Sequence, residues 1–432
     1  MSLQRRWAPL PLLLGACYMT GAQSINLGPF HFTVLRILLL LGFIRTRVRG
    51  ERISGGFTGL DRLILAWGAW FIIAASFHQP YGEALVLRLG AVYNVIGIYF
   101  LIRIFCQTTE DVVQIVKITA IILVPVGIEM INEKMTHRNV FGLLGGVPIE
   151  VLERDDKFRA QGPFGHPILA GTVGGLCFPL IIGIWQRHKS IAKIGLLACA
   201  AMVLASTSSG PLMTVAFSAF ALLLWLRRSL IAKLRVLAVI LYFICNMIMT
   251  RPAYYLLEKI DLTGSSAGYH RAAIIEAGIN HLNEWWLGGT DYTRHWMPYG
   301  VSYSPNHVDI TNHYLWYGVD GGLPLMILLI LMVWLGFRYI GQTMKLMLTS
   351  PKDEQFLVWC VGTGLFAHAT TMVSVAYFDQ SVMFLYMNLA VIASIRSYAT
   401  GVSGAKTVDP MRIDRGRGWQ TARPVQPEPA SG

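Results

Sequence analysis

Charge is scarce in this sequence: Asp, Glu, Lys and Arg make up 14% of 432 residues, while 54% are hydrophobic. So little charge on so apolar a chain excludes an ordinary water-soluble enzyme. Cysteine is also scarce, with six residues (Cys17, Cys106, Cys177, Cys199, Cys245 and Cys360) placed singly in or beside apolar stretches. Without a CxxC pair or a framework of close spacings, redox chemistry and a disulfide-stapled fold are excluded. Acidic residues number 24 against 36 basic ones, a formal charge of +12, yet the basic residues form no single patch of the kind that grips nucleic acid. No internal repeat is visible, which argues against the repeat-built transporters. No serine has a partner base at a recognisable spacing. His295, His307 and His313 match no compact metal motif, and neither a metal nor another cofactor is expected.

Long apolar runs are abundant. They recur in blocks of roughly 16 to 21 residues, the length that crosses a bilayer as helix. About twelve spans follow, at 7–24, 29–45, 61–78, 85–105, 111–130, 165–186, 191–207, 211–227, 232–250, 320–340, 354–373 and 379–396. The fold class is therefore all-α, a polytopic transmembrane bundle occupying residues 1–396. An even span count places both termini on one side. Most lysines and arginines then fall on that side, which identifies it as cytoplasmic. Residues 397–432, rich in Gly, Pro and Arg, read as a disordered cytoplasmic tail.

Two connections, 131–164 and 251–319, are too long to be turns, and both fall on the opposite face. The first ends in Arg159-Ala-Gln-Gly-Pro-Phe-Gly-His166-Pro167, where Gly and Pro fix a turn and Pro167 suits a first helical turn. That pattern fits either plain helix entry or a cationic edge presented to an anion. The polar turn Ser206-Thr-Ser-Ser-Gly210 offers caps, or the hydroxyl of Ser208 or Ser209 for a phosphate or sugar. The second connection carries Tyr269, His270, Arg271, Arg294, His295, His307, Asp309, Asn312 and His313, and its stretch from Tyr269 to Leu287 has helical character. A guanidinium such as Arg271 suits a diphosphate, and an imidazole such as His313 can take a hydroxyl proton near neutrality. Asp309, four residues before His313, could orient that ring if the segment between them is helical. Each residue also has a plainer reading, as an interfacial anchor or a headgroup contact.

Three stretches, in order, resemble the bacterial O-antigen ligases and related surface-polysaccharide polymerases. They are Arg159 to Ala170; Ser265 to Arg271 followed by Leu287-Gly288-Gly289; and Asn312-His313-Tyr314-Leu315 followed by Asp320-Gly321-Gly322-Leu323. The resemblance covers about 159–335. Two positions depart from it: Asn312 precedes the histidine rather than following it, and Ser209 is followed by Gly210 rather than Arg. It implies a GT-C-like bundle in the bacterial inner membrane that transfers a glycan from undecaprenyl diphosphate without a cofactor. Arg271 and Arg159 would hold the diphosphate, and His313 would act as general base. Asp309, Asn312, His166, Ser209 and Arg294 would support the site or bind the acceptor. The expected activity is polymerisation of surface or exopolysaccharide repeats, with an acceptor that is another lipid-linked glycan. Ligation to lipopolysaccharide core is the sister reading, and a lipid-linked glycan transporter the rival. Membrane lipid and polysaccharide-assembly proteins are the remaining expected partners.

Overall fold

The computed structural model describes residues 3–259, 267–302 and 304–407. Within a bilayer only a helix satisfies its own backbone hydrogen bonds, and the chain folds accordingly. In order run α1 (Pro9–Tyr18), α2 (Val34–Arg49), α3 (Gly59–Ala74), α4 (Tyr81–Phe105), α5 (Thr109–Thr136), α6 (Pro167–Gly183) and α7 (Lys189–Ala205). Then follow α8 (Ser209–Leu223), α9 (Ile231–Ile248), α10 (Ala267–Asn280), α11 (Leu282–Trp285), α12 (His313–Leu346), α13 (Lys352–Thr371) and α14 (Val382–Thr407). The fold is all-α apart from two short hairpins, β1 (Ser24–Leu27) with β2 (Phe30–Thr33) and β3 (Leu152–Arg154) with β4 (Lys157–Arg159).

Six helical stretches among the described residues are long and apolar enough to cross a membrane: Gly59–Phe77, Tyr81–Phe105, Thr109–Thr136, Ser209–Ile248, His313–Leu346 and Val382–Val402. Pro167–Gly183 is a shorter apolar helix. The chain thus has the character of a multi-pass membrane protein.

Several boundaries differ from the sequence expectation, each for a local reason. The span expected at 7–24 shortens to α1, whose ten residues rise only about 15 Å, half a hydrocarbon core. The chain then turns through the β1–β2 hairpin, where Gly28 takes φ +60° and Pro29 follows it. Residues 30–33, expected as helix, are strand, and α2 starts only where the Thr33 side chain accepts from the Arg36 amide. Ser209–Ile248, by contrast, is a 40-residue apolar run that breaks at Arg227, in the 3₁₀ stretch Leu224–Leu230, close to where the expected spans 211–227 and 232–250 meet. The helix expected from 320 begins at His313, seven residues earlier. At the other end, α14 continues through 397–407, and residues 408–432 of the expected tail lie outside the described residues.

Helix α12 breaks at Gly321 and Gly322. At Gly322, with φ +76°, an added Cβ would stand 2.1 Å from the Leu287 carbonyl oxygen, so only glycine fits. The break frees carbonyls, and side chains from elsewhere take them. Trp70 Nε1 donates to Gly321 O at 2.7 Å, and Arg88 Nη2 donates to Asp320 O at 2.7 Å.

Near the start of α3 and the end of α4, Asp61 and Arg103 form an ion pair at 3.1 Å with both side chains fully buried. Asp61 also closes the α3 capping box and accepts from Tyr99 Oη at 2.8 Å, while Arg103 Nη2 donates to Gly56 O at 3.0 Å and Nη1 reaches Ser394 Oγ at 3.3 Å. The pair therefore joins α3, α4 and α14. Asp61→Ala would leave the guanidinium uncompensated, at a cost of roughly 3–5 kcal/mol. A markedly lowered unfolding temperature in detergent is the expected result, and unchanged melting would show that the pair does not hold these helices together.

Candidate functional site

The segment 160–166, between β4 and α6, runs as irregular backbone against the bundle, and nearby side chains satisfy it. Glu133, fully buried at the end of α5, accepts from Gln161 N at 3.0 Å and Gly162 N at 2.7 Å. Asn139 Nδ2 donates to Gly162 O at 2.8 Å, and Ala160 N donates to Ala205 O at 3.1 Å. From the far side, Asp379 accepts from Gly165 N at 2.7 Å and Gln380 donates to Pro163 O at 2.9 Å. The segment is thereby fixed to α5, α7 and the connection before α14. Its last residue, His166, caps α6 by accepting from Ile168 N at 3.2 Å, with Pro167 as the first helical residue.

Beside this segment lies a cavity of about 740 Å³. Arg154, Lys157, Arg159 and Arg271 line it with Asp155 and Asp309, four cations against two carboxylates. His166, Ser208, Ser209 and His270 line it as well. Two helix N-termini, those of α6 and α8, therefore open onto it, and the positive ends of their dipoles favour negative charge, although the first amides of α6 are already taken, Ile168 N by His166 Nδ1 and Leu169 N and Ala170 N by His166 O. Arg159 is buried; its Nη2 donates to Ser208 Oγ at 2.7 Å, and its Nε has no hydrogen-bond partner among the described residues. Burial pushes this guanidinium below its ordinary value, Arg154 reinforces the shift, and Asp155 opposes it. A second buried polar atom at the cavity, Thr311 Oγ1, also has no partner among the described residues. Ser208 occupies the N-cap position of α8 without capping it, because its hydroxyl donates to Ser206 O at 3.0 Å and accepts from Arg159.

The expected site residues divide into two groups. Arg159, His166, Ser209, Arg271 and Asp309 meet in the cavity, drawn from both long connections and the α7–α8 turn. Arg271 lies in the first turns of α10 and is 8% exposed. Ser265 lies outside the described residues.

His313, Asn312 and Arg294 are elsewhere. His313 is fully buried, its Nδ1 accepts from Tyr377 N at 3.2 Å, and its ring lies 4.6 Å from that of Tyr317 and 4.9 Å from that of Tyr377. It sits behind the wall of Ser374, Val375, Ala376 and Phe378 rather than in the cavity. With Nδ1 accepting, a neutral ring carries its proton on Nε2, and that atom has no partner among the described residues. Asn312 caps α12 by accepting from Leu315 N at 3.0 Å. Arg294 spends its donors on Gly300 O at 2.9 Å and Pro298 O at 2.7 Å, which fastens its own loop.

Residues 309–312 are not helical, so the four-residue spacing does not join Asp309 to His313. Asp309 instead offers its backbone carbonyl to His270 Nε2 at 2.7 Å, and both residues line the cavity. Burial raises the Asp309 carboxyl above the ordinary carboxylate range, and His270 and Arg154 partly offset this.

Sequence reasoning missed Glu133 and Asp379 as organisers of the site, and it offered Ser208 as a ligand hydroxyl rather than as the acceptor for Arg159. An acidic residue at a span terminus was the available signal for Glu133 and Asp379, but their partners are backbone amides. It also missed the grouping of His281, Glu284 and His295, whose candidate ligand atoms lie within 4.8 Å of one another. No protein-family model matches the chain, and no curated protein matches it significantly.

Glu133→Ala would strand two buried amides, a cost of roughly 2–4 kcal/mol at 1–2 kcal/mol each. Glu133→Gln keeps one acceptor oxygen and should lose less. Thermal unfolding of the purified protein checks this order, and equal melting of all three proteins would remove Glu133 from its anchoring role.

Proposed function

We propose that the chain is a membrane glycosyltransferase that moves a glycan from a polyprenyl diphosphate, in the manner of the O-antigen ligases and surface-polysaccharide polymerases it resembles. The observation that carries the reading is the convergence of buried Arg159 and Arg271 on one cavity with two helix N-termini. That combination suits a diphosphate: guanidinium forks bind its oxygens in pairs, and the helix dipoles add fixed positive potential. The polyprenyl tail would lie along the apolar helices. Both long connections, which supply the cavity's Arg, Lys and Asp residues, would face the periplasm, with both termini cytoplasmic as the basic residues imply. The bundle would be the GT-C-like one of about twelve passes expected from the apolar runs.

In the reaction, an acceptor hydroxyl attacks the anomeric carbon as the bond from that carbon to the diphosphate oxygen breaks. The bonding pair leaves with the diphosphate, and a base takes the hydroxyl proton. The configuration inverts. Negative charge grows on the leaving group, so Arg159 and Arg271 stabilise the transition state more than the ground state. Asp309 takes the base role first assigned to His313, because it lines the cavity and its raised pKa makes it a stronger base than an ordinary carboxylate. His313 becomes a positioning residue, holding the Tyr377 amide and through it the cavity wall. Polymerisation, with a second lipid-linked glycan as acceptor, is the preferred activity, and transfer to lipopolysaccharide core is the alternative. Supplying the purified protein with a lipid-linked donor and each acceptor in turn distinguishes them: product only on core sugar would overturn polymerisation.

Arg271→Ala should lower single-turnover transfer far more than Arg138→Ala, and Arg271→Lys should recover only part, since Lys offers a point charge and no fork. Wild-type transfer by Arg271→Ala at equal membrane abundance would remove it from the site. Asp309→Asn should lose roughly 10²–10⁴-fold in transfer with donor binding kept. For the wild type, the acid limb of kcat/KM should lie above the ordinary carboxylate value, because activity needs the ionised form of a group whose pKa is raised; Asp309→Asn should abolish that limb. An unchanged limb in the variant would assign it to another group.

Tyr299, fully solvent-exposed in the second connection, provides a topological test. A cysteine placed there should react with an impermeant maleimide in intact spheroplasts. Labelling only in inverted vesicles would reverse the orientation.

A further inference from the structure

Away from the cavity, a second cluster of chemically able side chains lies at the junction of α10, α11 and the 3₁₀ turn Arg294–Trp296. His281 follows the last residue of α10, Glu284 lies within α11, and His295 lies in the turn. His281 Nδ1 is 2.8 Å from Ala277 O, a contact in which the nitrogen must donate, so the lone pair of a neutral ring is on Nε2. His295 Nε2 lies 3.0 Å from Glu284 Oε1 and 2.9 Å from Oε2. Trp296 Nε1 donates to Glu284 Oε2 at 3.0 Å and so orients the carboxylate. The rings are held too: His281 stacks on Trp296 with centroids 5.5 Å apart, and Tyr292 stacks on His295 at 5.3 Å.

We propose that His281, Glu284 and His295 form a divalent-metal site, best suited to Zn²⁺, that staples α11 to the turn after it. Two imidazole nitrogens and a carboxylate oxygen are a common zinc donor set, with water completing the tetrahedron. The ligand atoms already lie within 4.8 Å of one another, and tetrahedral zinc at ~2.0–2.1 Å from each ligand needs them about 3.3 Å apart. Closing on the ion therefore takes a small contraction of the cluster, with His295 and Glu284 separating by a few tenths of an ångström. The surrounding contacts are those that metal ligands ordinarily have. One histidine gives its other N–H to a backbone carbonyl, and the carboxylate accepts from an indole. Metal replaces the proton between His295 Nε2 and Glu284; in a neutral His295 that proton relocates to Nδ1, and from an imidazolium it passes to solvent. None of the three residues lines the cavity, so the proposal stands apart from the glycosyl-transfer reading.

The test uses the full-length protein in detergent, purified on a tag without histidine and stripped with chelator. Isothermal titration with zinc chloride should saturate at one ion per chain, and Co²⁺ should give the visible absorption of a four- or five-coordinate nitrogen–oxygen site. His281→Ala and His295→Ala should each weaken Zn²⁺ binding by at least about tenfold, on the scale that even outer ligand partners contribute. Glu284→Gln should weaken it likewise while preserving an acceptor for Trp296, so it separates loss of the metal from loss of the fold. His31→Ala, an exposed histidine in the first hairpin, should bind as the wild type does. Absence of saturable Zn²⁺ binding to the wild type would overturn the proposal. So would equal affinity and stoichiometry in the wild type and Glu284→Gln.

Discussion

Irregular backbone packed among apolar helices must take its hydrogen bonds from protein, and in this chain the buried carboxylate of Glu133 meets that demand. It accepts the amides of Gln161 and Gly162 where the chain has left β4 and has not yet entered α6. Asn139 on one side and Asp379 and Gln380 on the other complete the set. A stranded amide in such a place costs about as much as a lost hydrogen bond and more. The acceptors therefore define where the segment lies. That fixed course puts Arg159 at one end and His166 at the other, both lining the same cavity. The second connection can complete the cavity because the first is rigidly in place.

The apolar runs were legible in the sequence because their length is set by bilayer thickness, and α3, α4 and α5 lie close to where those runs placed them. The approach of the two long connections was legible for a similar reason: an even number of expected spans separates them, and Arg159 and Arg271 do line one cavity. The first hairpin was not. Ile25, Leu27, Phe30 and Phe32 alternate with Asn26, the Gly28-Pro29 turn and His31, a pattern too short to stand out between the apolar runs on either side. His313 was misplaced because the span was counted from 320, whereas Asn312 caps a helix that begins at 313 and carries the imidazole inside. The link from Asp309 to His313 required a helix that the chain does not form before its cap. Glu133 and Asp379 were missed for a deeper reason: their partners are amides, and a sequence shows side chains only.

The arginines within the apolar runs bear on the choice between transfer and transport. Intramembrane charges often line a path for ions or solutes. Arg88, however, donates to Asp320 O where α12 breaks and to Ala84 O at 3.3 Å, with its guanidinium over the Phe71 ring at 5.4 Å. Arg36 donates to the His31 carbonyl and to Asn94 Oδ1 at 3.3 Å. Both are committed to holding neighbouring elements, and in the case of Arg88 the charge answers carbonyls that a glycine break has exposed. Their placement is explained by backbone that would otherwise lack donors, and no conduction path is needed to account for them.

The cavity presents the reverse case, where the protein leaves positive charge incompletely answered. Arg159 is buried with a serine hydroxyl as its hydrogen-bond acceptor and a second guanidinium nitrogen unpartnered among the described residues. Burying a cation this way destabilises its charged form, which is the direction of its shift. The arrangement gains most from a ligand that brings negative charge into the same low-dielectric space, and gains more as that charge grows. A glycan linked through diphosphate does so twice, first on binding and again as its glycosidic bond breaks. On the proposed reading, the desolvation that makes the charge of Arg159 costly is thus the same factor that would favour the transition state over the bound donor.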